Sequence, residues 1–213
     1  MHGTRAQHVP LRRGPAASEH ATGRIGPNAI IQTAEALRLL LGEAIARRVF
    51  AAARLEAYLA APPADMVDEA EVMRLHDALR AVLDDDTARA ISIKAGQLTA
   101  AYLLAHRIPR AAQRVLRVLP ARLASRVLSR AIAAHAWTFA GTGSFTARPG
   151  RPTIYEVGHC PLCRGHQADH AVCDFYAATF ETLFRTLVQA GARATEVACE
   201  ATGAAACRFE IDW

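Results

Sequence analysis

All five cysteines of the chain lie after residue 159: Cys160, Cys163, Cys173, Cys199 and Cys207. An odd number of thiols without a secretory leader points to metal binding or reactive thiols rather than to a disulfide framework. Cys173, Glu196, Cys199 and Cys207 form a four-ligand set, because zinc accepts thiolate and carboxylate in a tetrahedral shell and structural sites are closed by four protein groups. Cys199 and Cys207 flank a predicted turn around Gly203, so a metal there staples a hairpin tip. Cys173 falls in the first turn of a predicted helix, where the N-terminus favours the thiolate that binds metal. Glu196 and Cys199 are three residues apart and face opposite sides of a regular strand, so their joint use requires a bulge or an early turn. The stretch His159-Cys160-Pro161-Leu162-Cys163-Arg164-Gly165-His166 offers a competing CxxC. It suits half of another zinc site, a redox pair or iron–sulfur ligation. Buried cysteines also serve as small hydrophobes, and spacing alone leaves these readings open.

The elements that position these residues divide the chain. Residues 1–27 carry Pro10, Pro15 and Pro27 and no apolar periodicity, which predicts a mobile arm with its last residues docked. A single domain over 28–213 follows, mainly helical over 28–134, then a sheet with an inserted helix and the metal ligands over 135–213. Predicted helices span 29–41 (Asn28 as N-cap), 43–59, a third from Asp65 through Leu83, 87–105, 110–119 and 121–134. Predicted strands cover 137–146, 153–157, 195–200 and 207–212, with a helix over 172–190 between them. Helices followed by a small antiparallel sheet give an α+β fold.

The 213 residues are 52% hydrophobic and 21% charged, enough for a full core and against wholesale disorder. The net charge of +5 is too mild to imply nucleic acid by itself. The longest uncharged stretch, Ala131–Ala147, is shorter than the ~20 residues a spanning helix needs, so no transmembrane segment is expected. From Thr87 to Tyr155 there is no acidic residue, while one lysine and ten arginines accumulate. Within that stretch Arg107, Arg110, Arg114 and Arg117 step by three and four, as one helical face does. Such a face is solvated, captures a carboxylate, or docks to acidic lipid or an acidic partner enzyme.

The segments Cys173-Asp174-Phe175-Tyr176-Ala177-Ala178-Thr179-Phe180 and Glu196-Val197-Ala198-Cys199, with Cys207-Arg208-Phe209-Glu210-Ile211, resemble the signature of the 4-vinyl reductase domain superfamily. The resemblance implies helices packed on an antiparallel sheet, as in the TRAPP vesicle-tethering subunits, a homodimer, an apolar ligand cavity, and zinc on Cys173, Glu196, Cys199 and Cys207. Arg24-Ile25-Gly26-Pro27-Asn28, together with the CxxC segment and the Cys173 segment, resembles more narrowly the bacteriochlorophyll 4-vinyl reductase family of purple phototrophic bacteria. Cys160 and Cys163 belong to this narrower pattern, as a redox or second metal pair.

That family resemblance implies a photosynthesis role in bacteriochlorophyll biosynthesis, at the reduction of the 8-vinyl (4-vinyl) group of divinyl protochlorophyllide or chlorophyllide. Vinyl reduction needs two electrons and two protons, and ordinary side chains do not supply the electrons. No Gly-x-Gly-x-x-Gly follows a predicted strand. A cytoplasmic carrier or accessory that binds the magnesium tetrapyrrole, peripheral to the photosynthetic membrane and beside other pathway enzymes, is therefore expected over a self-sufficient reductase. The alternative is a generic module of the superfamily for another small apolar ligand or for tethering. Imidazole suits an axial magnesium ligand, with His135 first, beside Trp137, and His106 second. Trp137, Phe139, Phe145, Tyr176 and Phe180 line a cavity or fill the core.

Overall fold

A computed structural model describes residues 23–213. The expected arm lies outside the described residues up to residue 22. Its last residues are docked: β1 (Arg24–Ile25) pairs antiparallel with β2 (Val67–Asp68), and the Gly26 amide donates to the Thr138 carbonyl at 2.7 Å.

The helical half follows its apolar periodicity, with local corrections where the chain turns. Helices α1 (Asn28–Leu41) and α2 (Glu43–Ala53) part at Gly42, whose φ of 83° a residue with a side chain rarely adopts. The helix expected through Leu59 instead closes at Arg54 in the left-handed region (φ 58°). The Leu55 amide reaches back to the Phe50 carbonyl at 2.8 Å, and buried Leu55 packs under the turn. This is a C-terminal lock without glycine. A short α3 (Ala57–Ala60) follows. Asp68, not Asp65, caps α4 (Glu69–Val82), accepting from the Ala70 amide at 2.8 Å, because residues 67–68 are held in β2. Asp84 caps the long α5 (Asp85–His106) in the same way. Helices α6 (Arg110–Val118) and α7 (Ala121–Ala134) each begin after a proline. The strand expected over 137–146 splits into the single helical turn α8 (Trp137–Ala140) and strand β3 (Ser144–Arg148). The alternation Trp137, Phe139 imitates a strand, but the chain stays helical until Gly141, at φ 59°.

Strands β3, β4 (Thr153–Gly158), β5 (Arg193–Ala198) and β6 (Cys207–Asp212) form one antiparallel sheet in the order β3-β4-β6-β5. The inner strands alternate as a half-buried sheet must: Tyr155, Val157, Phe209 and Ile211 face inward. Helix α9 (Asp174–Leu187) connects β4 to β5 and packs between the sheet and α5. It contributes Phe175, Tyr176, Phe180, Leu183, Phe184 and Leu187 to the core.

The α5–α9 contact is unusually close because α5 turns small residues toward it: Ala88, Ser92, Ala95, Gly96 and Thr99 are buried. The Thr179 hydroxyl lies 2.7 Å from the Phe175 carbonyl and 3.1 Å from the Gly96 carbonyl, tying the two backbones. A Cβ on Gly96 would collide with the Phe175 carbonyl oxygen. Gly96→Ala should therefore force the helices apart. The strain exceeds the ~1 kcal/mol of helix propensity that alanine returns, for a net loss of about 1–2 kcal/mol, read as a lower urea midpoint at unchanged slope.

Candidate metal centre

Five sulfurs and one carboxylate meet between the N-terminus of α9, the ends of β5 and β6, and the loop after β4. Cys173, Cys199 and Cys207 form a near-equilateral triangle, with sulfur separations of 4.0, 3.7 and 3.8 Å. A tetrahedral ion with bonds of about 2.3 Å to sulfur spaces its thiolates about 3.8 Å apart, so the triangle has the dimensions of one face of such a shell. Cys163 lies 3.4 Å from Cys207 and 3.9 Å from Cys199, and Cys160 lies 3.6 Å from Cys173. Two quartets share the Cys173–Cys207 edge: Cys160, Cys163, Cys173 and Cys207 on one side, and Cys173, Glu196, Cys199 and Cys207 on the other. This cluster can hold a metal ion. Inorganic sulfide cores push their thiolates farther apart than this, so the spacing suits a single ion.

Glu196 reaches the centre through a bulge. Its partner in β6 is Phe209, while Ala198 pairs with Arg208, so Val197 is an extra residue that turns Glu196 and Cys199 to the same side. One carboxylate oxygen of Glu196 accepts from the Cys173 amide at 2.7 Å; the other is buried without a hydrogen-bond partner. Burial and the neighbouring Cys199 push its pKa up to about 9. The thiols are similarly frustrated. Burial raises Cys160, contact with Cys160 raises Cys173 and Cys207, and hydrogen bonds from the surrounding thiols, led by Cys160, drive Cys163 far below the ordinary range. These groups cannot all ionise together without a cation among them. The orphaned carboxylate oxygen and the sulfur triangle both fit a divalent ion.

The loop carrying Cys160 and Cys163 is held by residues that spacing did not reveal. Glu200 accepts from the His159 amide at 2.6 Å and from the Cys160 amide at 2.8 Å. Arg164 pairs with Glu69 of α4 at 2.8 Å, and Glu69 accepts from the Thr142 amide and hydroxyl at 2.9 and 2.5 Å. Glu200 had a visible signal in its adjacency to Cys199. Glu69 had none.

The residues expected to meet a pigment are not brought together. His135 caps α7 on the surface, its Nδ1 2.8 Å from the Ala131 carbonyl oxygen, and Trp137 is 40% exposed on α8. His106 packs on Tyr102, with ring centroids 4.8 Å apart, and the Arg107 guanidinium lies over the same ring at 5.9 Å. Arg107 caps α5, so it does not continue the α6 face; Arg110 and Arg114 are exposed, and Arg117 donates to the Thr186 carbonyl of α9. Phe139, Phe145, Tyr176 and Phe180 pack edge-to-face or stacked, as a filled core rather than a cavity lining.

Residues 153–212, from β4 through β6, match the family model of the 4-vinyl reductase domain. That match defines the chain's class: a protein whose domain signature is the strand–helix–hairpin frame of the metal centre. The likeness extends along nearly the whole chain. It is 43% identical over 201 residues to the bacteriochlorophyll synthase 23 kDa chain of Cereibacter sphaeroides, covering 94% of both chains. It is 39% identical over 189 residues to the protein of the same name from Rhodobacter capsulatus, covering 88% of this chain and 86% of the relative. The chain belongs to this bacteriochlorophyll synthase 23 kDa chain family. Its fold also resembles that of a mutant Fe(II) unliganded H-NOX protein from K. algicida, with a TM-score of 0.56, 10% identity, and coverage of 88% of this chain and 96% of that one.

One buried histidine adjoins the centre. His76 of α4 sits edge-on to Phe175 at 5.9 Å, with its Nε2 buried and unpaired. Burial, with the Arg80 charge, lowers its pKa to about 3. The unfolded chain therefore takes up a proton near pH 6.5 that the folded chain refuses until far lower. Stability from this group is complete above about pH 6.5 and falls by about 1.4 kcal/mol per pH unit well below it. His76→Leu should remove that slope, seen as a smaller loss of urea stability between about pH 7.5 and 5.5 than in the parent chain.

Proposed function

We propose that the chain binds a divinyl protochlorophyllide- or chlorophyllide-type magnesium tetrapyrrole and serves reduction of its 8-vinyl group as a substrate carrier or accessory. The observation that carries this reading is the end-to-end likeness to proteins named bacteriochlorophyll synthase 23 kDa chain. The metal centre supports a structural rather than a redox part. Its donors are buried, and a quartet of them closes a tetrahedral shell without leaving a position for substrate. We assign it to one zinc ion on Cys173, Glu196, Cys199 and Cys207, with Cys160 and Cys163 packed alongside. Zinc there supplies charge compensation and holds α9 to the β5–β6 hairpin; it does not change oxidation state.

For the pigment, the corner between α5 and α6 offers the matching chemistry. Tyr102 and His106 present ring surface and an imidazole, and Arg107 and Arg110 present guanidinium groups for a propionate. A second copy of the chain is the natural protein partner, with exposed Leu39 and Leu40 of α1 as its apolar contact.

Two measurements test the proposal. Elemental analysis should find one zinc per chain, lost in Cys207→Ser, released faster to a chelator in Glu196→Gln and retained in Cys160→Ser; iron, or retention by Cys207→Ser, would refute the assignment. Titration of the pure chain with divinyl and monovinyl protochlorophyllide should shift the pigment's absorption bands. Arg107→Gln/Arg110→Gln should weaken that binding, and the vinyl group should persist until a separate reductase is added. Absence of any shift at micromolar pigment would leave a ligand module for some other apolar molecule.

A further inference from the structure

Helices α6 and α7 follow one another across Leu119 and Pro120, and each buries one side and shows the other. Gln113 and Leu116 of α6 and Ala124, Ser125, Leu128 and Ser129 of α7 face inward. On the outer side the sequence repeats one device: an arginine followed at once by an apolar residue, at 110–111, 114–115, 117–118, 122–123, 126–127 and 130–131. Helical geometry turns this repeat into a row of guanidinium groups beside a row of apolar side chains.

The apolar row is bare. Val115, Val118, Leu123 and Val127 are 55, 82, 45 and 47% exposed, half of the exposed large hydrophobic residues among those described. The arginine row is unbalanced. Elsewhere on the helices arginines are paired, as in Arg38–Glu43, Arg74–Glu71, Arg80–Asp77 and Arg185–Glu181. Among the described residues, none of Arg110, Arg114, Arg122, Arg126 and Arg130 pairs with a carboxylate. Beside α7, Arg126 and Arg130 border a hollow of about 330 Å³ shared with Ala147 and Pro149, room for a phosphate group.

We propose that the outer face of the α6–α7 hairpin docks on an anionic lipid bilayer, with the arginines at the head groups and the valines and Leu123 below them. An ordinary solvated face mixes both signs of charge and does not set a row of aliphatic side chains in water. A second copy on this face brings two unbalanced arginine rows together, so like charge opposes it. Aliphatic and guanidinium groups in adjacent rows are what an interfacial helix needs. The inference is independent of the pigment and of the zinc.

Flotation of the full-length chain with vesicles of phosphatidylglycerol and phosphatidylcholine tests it. The chain should float with mixed anionic vesicles, stay behind with pure phosphatidylcholine, and release as salt rises. Each arginine near a charged surface is worth about five-fold in partitioning, so Arg114/Arg122/Arg126/Arg130→Gln should lose on the order of several hundred-fold while its circular dichroism is unchanged. Val118→Trp should shift its emission to the blue on anionic vesicles, reporting an indole taken out of water. Failure to float, equal floating with both lipids, or a quadruple variant that floats like the parent overturns the proposal. Capture by an acidic polypeptide without flotation also overturns it and gives the face to a protein.

Discussion

Five thiols and a carboxylate packed into one buried volume cannot all be charged beside one another, and none can reach water. The folded state accepts that conflict at Cys160, Cys163, Cys173, Glu196, Cys199 and Cys207, and a divalent cation is the simplest way to resolve it. The surrounding architecture supplies donors from four separate pieces of chain: the CxxC loop, the start of α9, the end of β5 and the start of β6. Since these pieces meet only in the folded molecule, metal affinity and the stability of the sheet region are linked quantities.

The centre is also joined to the helical half. Arg164 leaves the CxxC loop to meet Glu69 at the first turn of α4, and Glu69 holds Thr142 ahead of β3. Glu69 is nearly buried; its burial opposes ionisation, and the Thr142 and Arg164 bonds outweigh that cost and lower its pKa. The same helix carries His76 beside Phe175. A domain signature confined to residues 153–212 is thus held by contacts from outside that span, which accounts for a family likeness extending along almost the whole chain.

Much of this was legible before any coordinates. The α+β order, the helices over 110–118 and 121–134, and the inner strands followed from periodicity and from proline punctuation. The need for a bulge between Glu196 and Cys199 followed from strand parity, and Val197 supplies it. Other features were hidden for physical reasons. Arg54 in a left-handed turn carries no glycine to announce it. The Trp137–Phe139 alternation imitates a strand in a segment whose helical hydrogen bonds decide otherwise. Convergence of the CxxC with the other three cysteines depends on how a loop folds over a sheet edge, which local spacing does not encode. His135 and Trp137 looked interior because their neighbours are apolar, but alanine-rich surroundings also occur on a surface.

The bulge at Val197 has another consequence. Strand β5 is the free edge of the sheet, and a straight edge offers an unbroken row of amides and carbonyls to any passing strand. An extra residue in that row spoils its repeat just where the strand runs into the thiol cluster. The distortion that turns Glu196 and Cys199 to one side thereby also acts as a guard against polymerisation through β5, so colloidal behaviour and ligand geometry are inherited together from a single inserted valine.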